Sequence, residues 1–194
     1  MDCKFKIEKG PNGGSGNYDG VKVSLLDVYG VESETLIHHE LVHFFQAKIL
    51  GRENQYKLPQ WFTEGMAVAY SGQNIVPRGK YIYGLKEEFE ALGNFSDYIF
   101  MDEYQEVDFT IAPYDALYGI WGAMFIYTIC SSSKINIGYD KDMGPHLSNR
   151  EYELSAHILS KAFENGFENK LLDSSHNGVL TKDSVWEKLE KFLL

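Results

Sequence analysis

Two short stretches near the N-terminus, KFKIEK and VKVSLL, alternate apolar and polar residues with a period of two. This is the period of a β-strand with one buried face, so the pattern predicts two strands. The stretch between them, GPNGGSGNYDG, is rich in glycine and polar residues and predicts a flexible loop. It matches neither of the common glycine-rich phosphate-binding motifs, and no helical pattern follows it directly, so we do not expect it to bind phosphate.

The pattern then changes to that of helices. Apolar positions are spread around most of the circumference of residues 33–50, with Gly51 placed to end the segment, which predicts a mostly buried helix. Pro59 suits the start of a second, shorter helix, WFTEGMAVAY, which ends near Gly72. Further helices are predicted over residues 83–92, 114–130 and 150–164, and after Ser184.

This order of elements predicts an α+β fold. A small N-terminal sheet is followed by a buried helix and then by a mainly helical C-terminal part. A chain of 194 residues is long enough to bury a core of its own, and we expect a single domain. Within it, residues 1–72 would form one sub-lobe, with the strands and first two helices, and residues 73–194 a helical one.

Charge and hydropathy exclude some classes of partner. The 28 acidic and 18 basic residues give a formal net charge of -10, whereas nucleic acid and anionic lipid call for a basic face. The longest apolar run, YGIWGAMFIYTIC from Tyr118 to Cys130, has 13 residues, and a membrane-spanning helix needs about 20. We therefore expect neither nucleic acid binding nor membrane insertion. Nothing in the pattern indicates an oligomeric state.

The cysteines and the N-terminus bear on the compartment. Cys3 and Cys130 are the two cysteines, so the sequence contains no disulfide framework, and reduced thiols are the simpler expectation. The opening residues, MDCKFKIEKG, contain no apolar core of a signal peptide. These features favour a cytoplasmic location, with secretion after removal of a signal as the alternative.

The segment TLIHHELVHFFQAK carries the candidate chemistry. Residues four apart on a helix lie about 40° apart around its axis, so His39 and His43 project side by side and can share one metal ion. Glu40 flanks the same site, where it can handle the proton of a water molecule without binding the metal, in the arrangement H-E-x-x-H. His38 points about 120° away from the pair and is not expected to be a ligand.

A catalytic zinc ion usually has three protein ligands and leaves a fourth position open. The extended motif H-E-x-x-H-x-x-G-x-x-H would need glycine and histidine where this chain has Gln46 and Ile49, so the third ligand lies elsewhere. Glu64, in WFTEGMA on the next helix, is the best candidate. An acid among such apolar neighbours is unlikely to be buried without a partner, and a cation would provide one.

Together, HHELVHFFQAK and LPQWFTEGMAVAY resemble the active-site region of the gluzincin metallopeptidases, the thermolysin-like and aminopeptidase-like superfamily. The resemblance implies a zincin-like fold and one zinc ion, with His39, His43 and Glu64 as ligands and Glu40 as general base. YGIWGAMFIYTIC is similar to the helix that in such domains carries a tyrosine facing the metal. Tyr118 is accordingly our candidate for stabilising the oxyanion, with Tyr114 as the alternative.

The chain departs from the family pattern in two respects. Val68 stands four residues after Glu64, where thermolysin-like members carry an acid that orients a zinc histidine, so this partner must come from elsewhere. The stretch before the first helix is also short, with room for a small sheet only. In that sheet VKVSLL is a candidate edge strand that would pair with an extended peptide.

The expected function is therefore zinc-dependent hydrolysis of peptide bonds in a peptide or protein substrate. Two alternatives stay open from the sequence. One is a non-catalytic protein of the same fold that binds a peptide or partner chain, and the other is a zinc hydrolase acting on a non-peptide amide or ester. The presence of Glu40 favours an enzyme, because a protein that only binds has no physical need for an acid at that position.

Overall fold

The computed structural model describes residues 2–26, 31–54, 58–73, 114–133, 139–140, 144–145 and 185–193. In these ranges the strands are β1 (Lys4–Lys9), β2 (Gly13–Asn17), β3 (Gly20–Leu25), β4 (Tyr139–Asp140) and β5 (Gly144–Pro145). The helices are α1 (Val31–Leu50), α2 (Gln60–Ser71), α3 (Tyr114–Ser133) and α4 (Val185–Leu193). A small sheet and several helices make this an α+β structure, as the sequence predicted.

The N-terminal sheet has the order β1-β3-β2. β1 runs parallel to β3, and β2 runs antiparallel to it, with Gly13 opposite Ser24 and Asn17 opposite Gly20. Both predicted strands are confirmed, but the predicted flexible loop is wrong because its middle forms β2. The expectation that VKVSLL is an edge strand is also wrong. It forms most of β3, which lies in the centre with a neighbour on each side.

One face of the sheet packs against α1. Val21, Val23 and Leu25 alternate with exposed or half-buried residues along β3, and they form a buried cluster with Leu36 and Phe44 of α1. The alternation explains why this strand was visible in the sequence. α1 lies over β2 and β3 and is thereby fixed directly against the glycine-rich strand.

Outside this core, Phe5 and Ile7 of β1 are in register with Val21 and Val23, yet they remain 46% and 43% exposed. β1 lies at the opposite edge of the sheet from β2, and α1 packs mainly over β2 and β3. The side chains of β1 are therefore not covered by the helix. Single exposed apolar side chains are common on protein surfaces.

The second helix begins and ends where the sequence predicts. Pro59 precedes α2, and Gly72 ends it in the left-handed conformation, with φ of 74°. The backbone N–H of Gly72 donates to the carbonyl oxygen of Val68, with 3.0 Å between nitrogen and oxygen. A glycine at this position avoids the steric cost that a Cβ atom would have there. The result is a short helix with a fixed end, packed beside α1.

α2 also packs closely against α3. A Cβ atom on Gly65 would overlap the backbone carbonyl oxygen of Trp121, so the two backbones approach more closely there than a side chain would permit. Residues 117–128 of α3 are all buried, which explains the thirteen-residue apolar run as a helix of the protein core. α4 contacts α3 and buries Val185 and Leu189.

The remaining predicted elements have different outcomes. The helices after residue 114 and after Ser184 are confirmed, with α3 extending to Ser133. The predicted helices over 83–92 and 150–164 lie outside the described residues. The short β4–β5 pair was not predicted. None of the helices in the described part of the chain combines the length and the apolar composition needed to cross a membrane.

Candidate metal centre

His39 and His43 lie one turn apart on α1 and face the same side of it. Their Nε2 atoms are 3.0 Å apart, and their ring centroids are 4.8 Å apart. The residue His39 is only 3% exposed, and the side chain of His43 is 15% exposed. The helical spacing alone produces this juxtaposition, because residues four apart project in nearly the same direction.

The third side chain comes from α2. Glu64 Oε2 lies 3.0 Å from Nε2 of His39 and 3.3 Å from Nε2 of His43. α1 and α2 are packed side by side, which directs the carboxylate at the two imidazoles. Three potential ligand atoms from two helices therefore converge on one point.

The separations suit a small tetrahedral ion. Zinc holds nitrogen and oxygen ligands at about 2.0–2.2 Å, which places tetrahedral ligand atoms about 3.3–3.6 Å apart. The observed separations of 3.0, 3.0 and 3.3 Å are therefore close to those of a metal site. Within the described ranges, His39, His43 and Glu64 form a group that could hold a metal ion. Small rotations of the three side chains would admit it.

The electrostatics of the three groups are strongly coupled. Burial disfavours ionisation of Glu64, but the adjacent His43 and His39 outweigh it and lower the pKa of Glu64 below its ordinary value. Burial also disfavours charge on His43, whereas Glu64 raises the pKa of His43 to about 9. Burial lowers the pKa of His39. The two histidines and Glu64 thus favour a positive charge beside the Glu64 carboxylate. A metal ion can supply this charge in place of a proton.

Glu40 lies next to the group on α1 but is not one of its members. It is 6% exposed, and burial raises its pKa to about 7, reinforced by Glu64 and opposed by His43. The backbone N–H of Gly16 on β2 donates a hydrogen bond to this carboxylate, which acts in the opposite direction and lowers the pKa. A buried carboxyl group with a pKa near neutral pH is suited to accepting and releasing protons.

β2 approaches α1 at Glu40 because its helix-facing residues are glycines. A Cβ atom on Gly14 would lie 2.7 Å from Oε1 of Glu40. A Cβ atom on Gly16 would overlap the backbone carbonyl oxygen of Glu40 and lie 2.8 Å from Cβ of His43. The two glycines thus permit a strand to lie directly beside the candidate site.

This close approach gives a testable prediction. Gly16→Ala should force β2 away from α1 and lower the free energy of unfolding by about 1–3 kcal/mol, the usual cost of overpacking. Gly13→Ala on the same strand is the matched control, because its added Cβ atom meets nothing within 4 Å. Urea unfolding midpoints of both variants measure the difference. Equal stability of the two variants would contradict the proximity of β2 to α1.

The remaining ring nitrogens of the two histidines have different surroundings. Nδ1 of His43 lies 2.9 Å from Oε1 of Gln46, and Nε2 of Gln46 donates to the carbonyl oxygen of Thr63 at 2.8 Å. Nδ1 of His39 is buried and has no hydrogen-bond partner among the described residues. Val68, which stands where the resembled family has an acid, is fully buried and packs toward Gly122 of α3. Within the described ranges, the second ring nitrogen therefore has a side-chain partner in His43 and none in His39.

Tyr118 lies beside the site. Its ring centroid is 5.8 Å from that of His39, with the two rings tilted by 33°, and the residue is 7% exposed. This places the phenol close to the candidate ligands, while its role in stabilising an oxyanion stays a prediction. The side chain of Tyr114 lies outside the described part of the chain. His38 is exposed on another face of α1, and the three histidines at 146, 157 and 176 lie outside the described residues.

Two residues of the site were not identified from the sequence. Gln46 was considered only as a departure from the longer histidine motif, although its position three residues after His43 places both on one side of the helix. Gly16 falls in the predicted loop, because glycine leaves no side-chain pattern from which a strand can be recognised. The helical spacing would have identified Gln46, whereas no local signal would have identified Gly16.

Comparison with protein-family models, with curated proteins and with solved structures gives no match to this chain.

Proposed function

We propose that this protein is a zinc-dependent metallopeptidase of the gluzincin type, with a zincin-like fold. The observation that carries the proposal is the convergence of His39, His43 and Glu64, with ligand atoms 3.0–3.3 Å apart, beside the buried Glu40. Two histidines on one helix and a glutamate on the next are the donor set of this class of enzyme. The resemblance of the two sequence segments to that class supports the same conclusion.

The chemistry of the donor set favours zinc among the common ions. Two imidazole nitrogens and one carboxylate oxygen suit zinc, whereas magnesium and calcium prefer oxygen ligands throughout. Three protein ligands leave one position open, which is typical of catalytic zinc sites and not of structural ones. When bound, the metal would polarise the scissile carbonyl group and make a water molecule more acidic.

Within this proposal Glu40 is the general base. It accepts the proton of the attacking water and delivers it to the leaving amine. Its burial raises the pKa of Glu40 above the ordinary value, which makes this carboxylate a stronger base. The hydrogen bond from the Gly16 N–H restrains this carboxylate. Tyr118 is the proposed hydroxyl donor to the oxyanion, supported by the proximity of its ring to His39.

The position of β2 favours a peptide as the substrate. β2 is at the edge of the sheet, pairs with β3 alone among the described strands, and passes Glu40 at close range. An extended peptide can add to such an edge by backbone hydrogen bonds. A peptide that pairs with β2, and not with VKVSLL, would lie next to Glu40.

A peptide-cleavage assay tests the proposal. The purified protein, loaded with zinc, is incubated with a mixed peptide pool, and new termini are identified by mass spectrometry. We expect cleavage that a chelator removes and that added zinc restores, while magnesium or calcium does not. Peptide binding without any cleavage would contradict the enzyme assignment and favour a binding protein. Cleavage of esters or non-peptide amides alone would contradict the peptidase assignment.

A further inference from the structure

Gln46 connects the two helices that supply the candidate metal ligands. It is 3% exposed and lies on α1, three residues after His43. Its side-chain oxygen lies 2.9 Å from Nδ1 of His43, and its side-chain nitrogen lies 2.8 Å from the carbonyl oxygen of Thr63 on α2. Thr63 immediately precedes Glu64. The buried amide of Gln46 therefore contacts the candidate ligand His43 directly. It also contacts the backbone next to the candidate ligand Glu64.

The hydrogen-bond pattern fixes the orientation of this amide. The carbonyl oxygen of Thr63 can only accept, so the NH₂ group of Gln46 must face it. The amide oxygen then faces His43, and because this oxygen can only accept, Nδ1 of His43 must carry the hydrogen. In the neutral imidazole the lone pair consequently lies on Nε2, the atom directed at His39 and Glu64.

We infer that Gln46 is the positioning residue of this metal centre, holding His43 in the ligand-competent tautomer and fixing Glu64 at the correct distance through Thr63. This inference rests on the proposed function. Gln46 supports one of the two candidate histidines, His43, from within α1 itself. Metal-binding histidines usually donate their second N–H to such an acceptor, and removing the acceptor lowers metal affinity by about 10–100-fold.

Gln46→Met tests the inference, because it keeps the size and removes both hydrogen bonds. We expect zinc affinity, measured by competition with a chromophoric chelator, to fall by about 10–100-fold. The absorption spectrum of the cobalt(II)-loaded protein should change as well, because the imidazole is no longer held in one orientation. Gln46→Glu retains the acceptor for His43 and should bind zinc more tightly than Gln46→Met.

Gln73→Met is the matched control. Gln73 follows the C-terminal end of α2, and its side-chain oxygen is buried with no hydrogen-bond partner in the described part of the chain. The same chemical change there should leave zinc affinity and the cobalt spectrum unchanged. Circular dichroism of the metal-free proteins checks that each variant is folded. If Gln46→Met does not fold, Gln46→Asn replaces it, since its shorter side chain cannot reach both partners, and the same loss of affinity is expected.

The outcomes separate this inference from the proposed function. If the unaltered protein binds zinc and the folded Gln46 variant binds it equally well with the same cobalt spectrum, the role of Gln46 is refuted and the metal centre stands. A loss of stability without a loss of affinity also refutes it, because that is the effect of a residue with a merely structural role. If the unaltered protein and Gln73→Met both bind no zinc, the proposed function fails and the inference with it.

Discussion

Glu40→Gln is expected to abolish nearly all peptide hydrolysis while the protein retains its bound zinc. Glutamine has the shape of glutamate but cannot accept a proton from water at neutral pH, and loss of general base catalysis costs about 10²–10⁴-fold in rate. Zinc should remain, because Glu40 is not a member of the ligand group. The measurements are kcat/KM on a peptide identified in the cleavage assay and zinc content by elemental analysis.

Glu34→Gln is the control for this prediction. Glu34 is an exposed residue on the same helix, so the same substitution there removes an equal charge without touching the site. It should leave both activity and zinc content unchanged. Undiminished activity of Glu40→Gln would contradict the proposed mechanism, and loss of zinc from it would mean that Glu40 is a ligand.

The second large effect is expected from the ligands themselves. Structural zinc sites with four ligands bind with free energies of roughly 10 kcal/mol or more, so each ligand contributes about 3 kcal/mol. Replacing one ligand in Glu64→Gln or His43→Ala should therefore weaken zinc binding by about two orders of magnitude. Activity should fall in parallel at limiting zinc. Chelator competition gives the affinities, and activity titrations with zinc show whether the metal restores hydrolysis.

Two controls accompany the ligand variants. His38→Ala removes the exposed histidine beside His39 and Glu53→Gln removes an exposed acid of the connector after α1, and neither residue belongs to the ligand group. Both should bind zinc as the unaltered protein does. Equal zinc affinity in Glu64→Gln and Glu53→Gln would exclude Glu64 as a ligand and leave a centre with two histidines only.

The parts of the site that follow from local spacing were predictable from the sequence. His39 and His43 are brought together by the pitch of one helix, so no information about the rest of the fold is needed. Glu64 required only the additional assumption that two helices joined by a short connector pack as neighbours. Its apolar surroundings made a buried, partnered carboxylate the natural expectation.

The parts of the site that depend on contacts between separate elements of the fold could not be predicted in this way. β2 has glycine at three of its five positions, so it carries no alternating pattern, and its strand conformation follows from pairing with β3. The same glycines that conceal the strand permit its contact with Glu40. Tyr118 was selected by resemblance, and its position beside His39 depends on how α3 packs against α2, which the sequence pattern does not specify.

Locating the metal itself tests the proposed ligand set most directly. Crystals of the zinc-loaded protein, measured at the zinc absorption edge, give an anomalous difference map that identifies the ion independently of its ligands. We expect one peak at about 2.0–2.2 Å from Nε2 of His39, Nε2 of His43 and a carboxylate oxygen of Glu64. Zinc at another position, or no peak between these three side chains at saturating zinc, would contradict this ligand set.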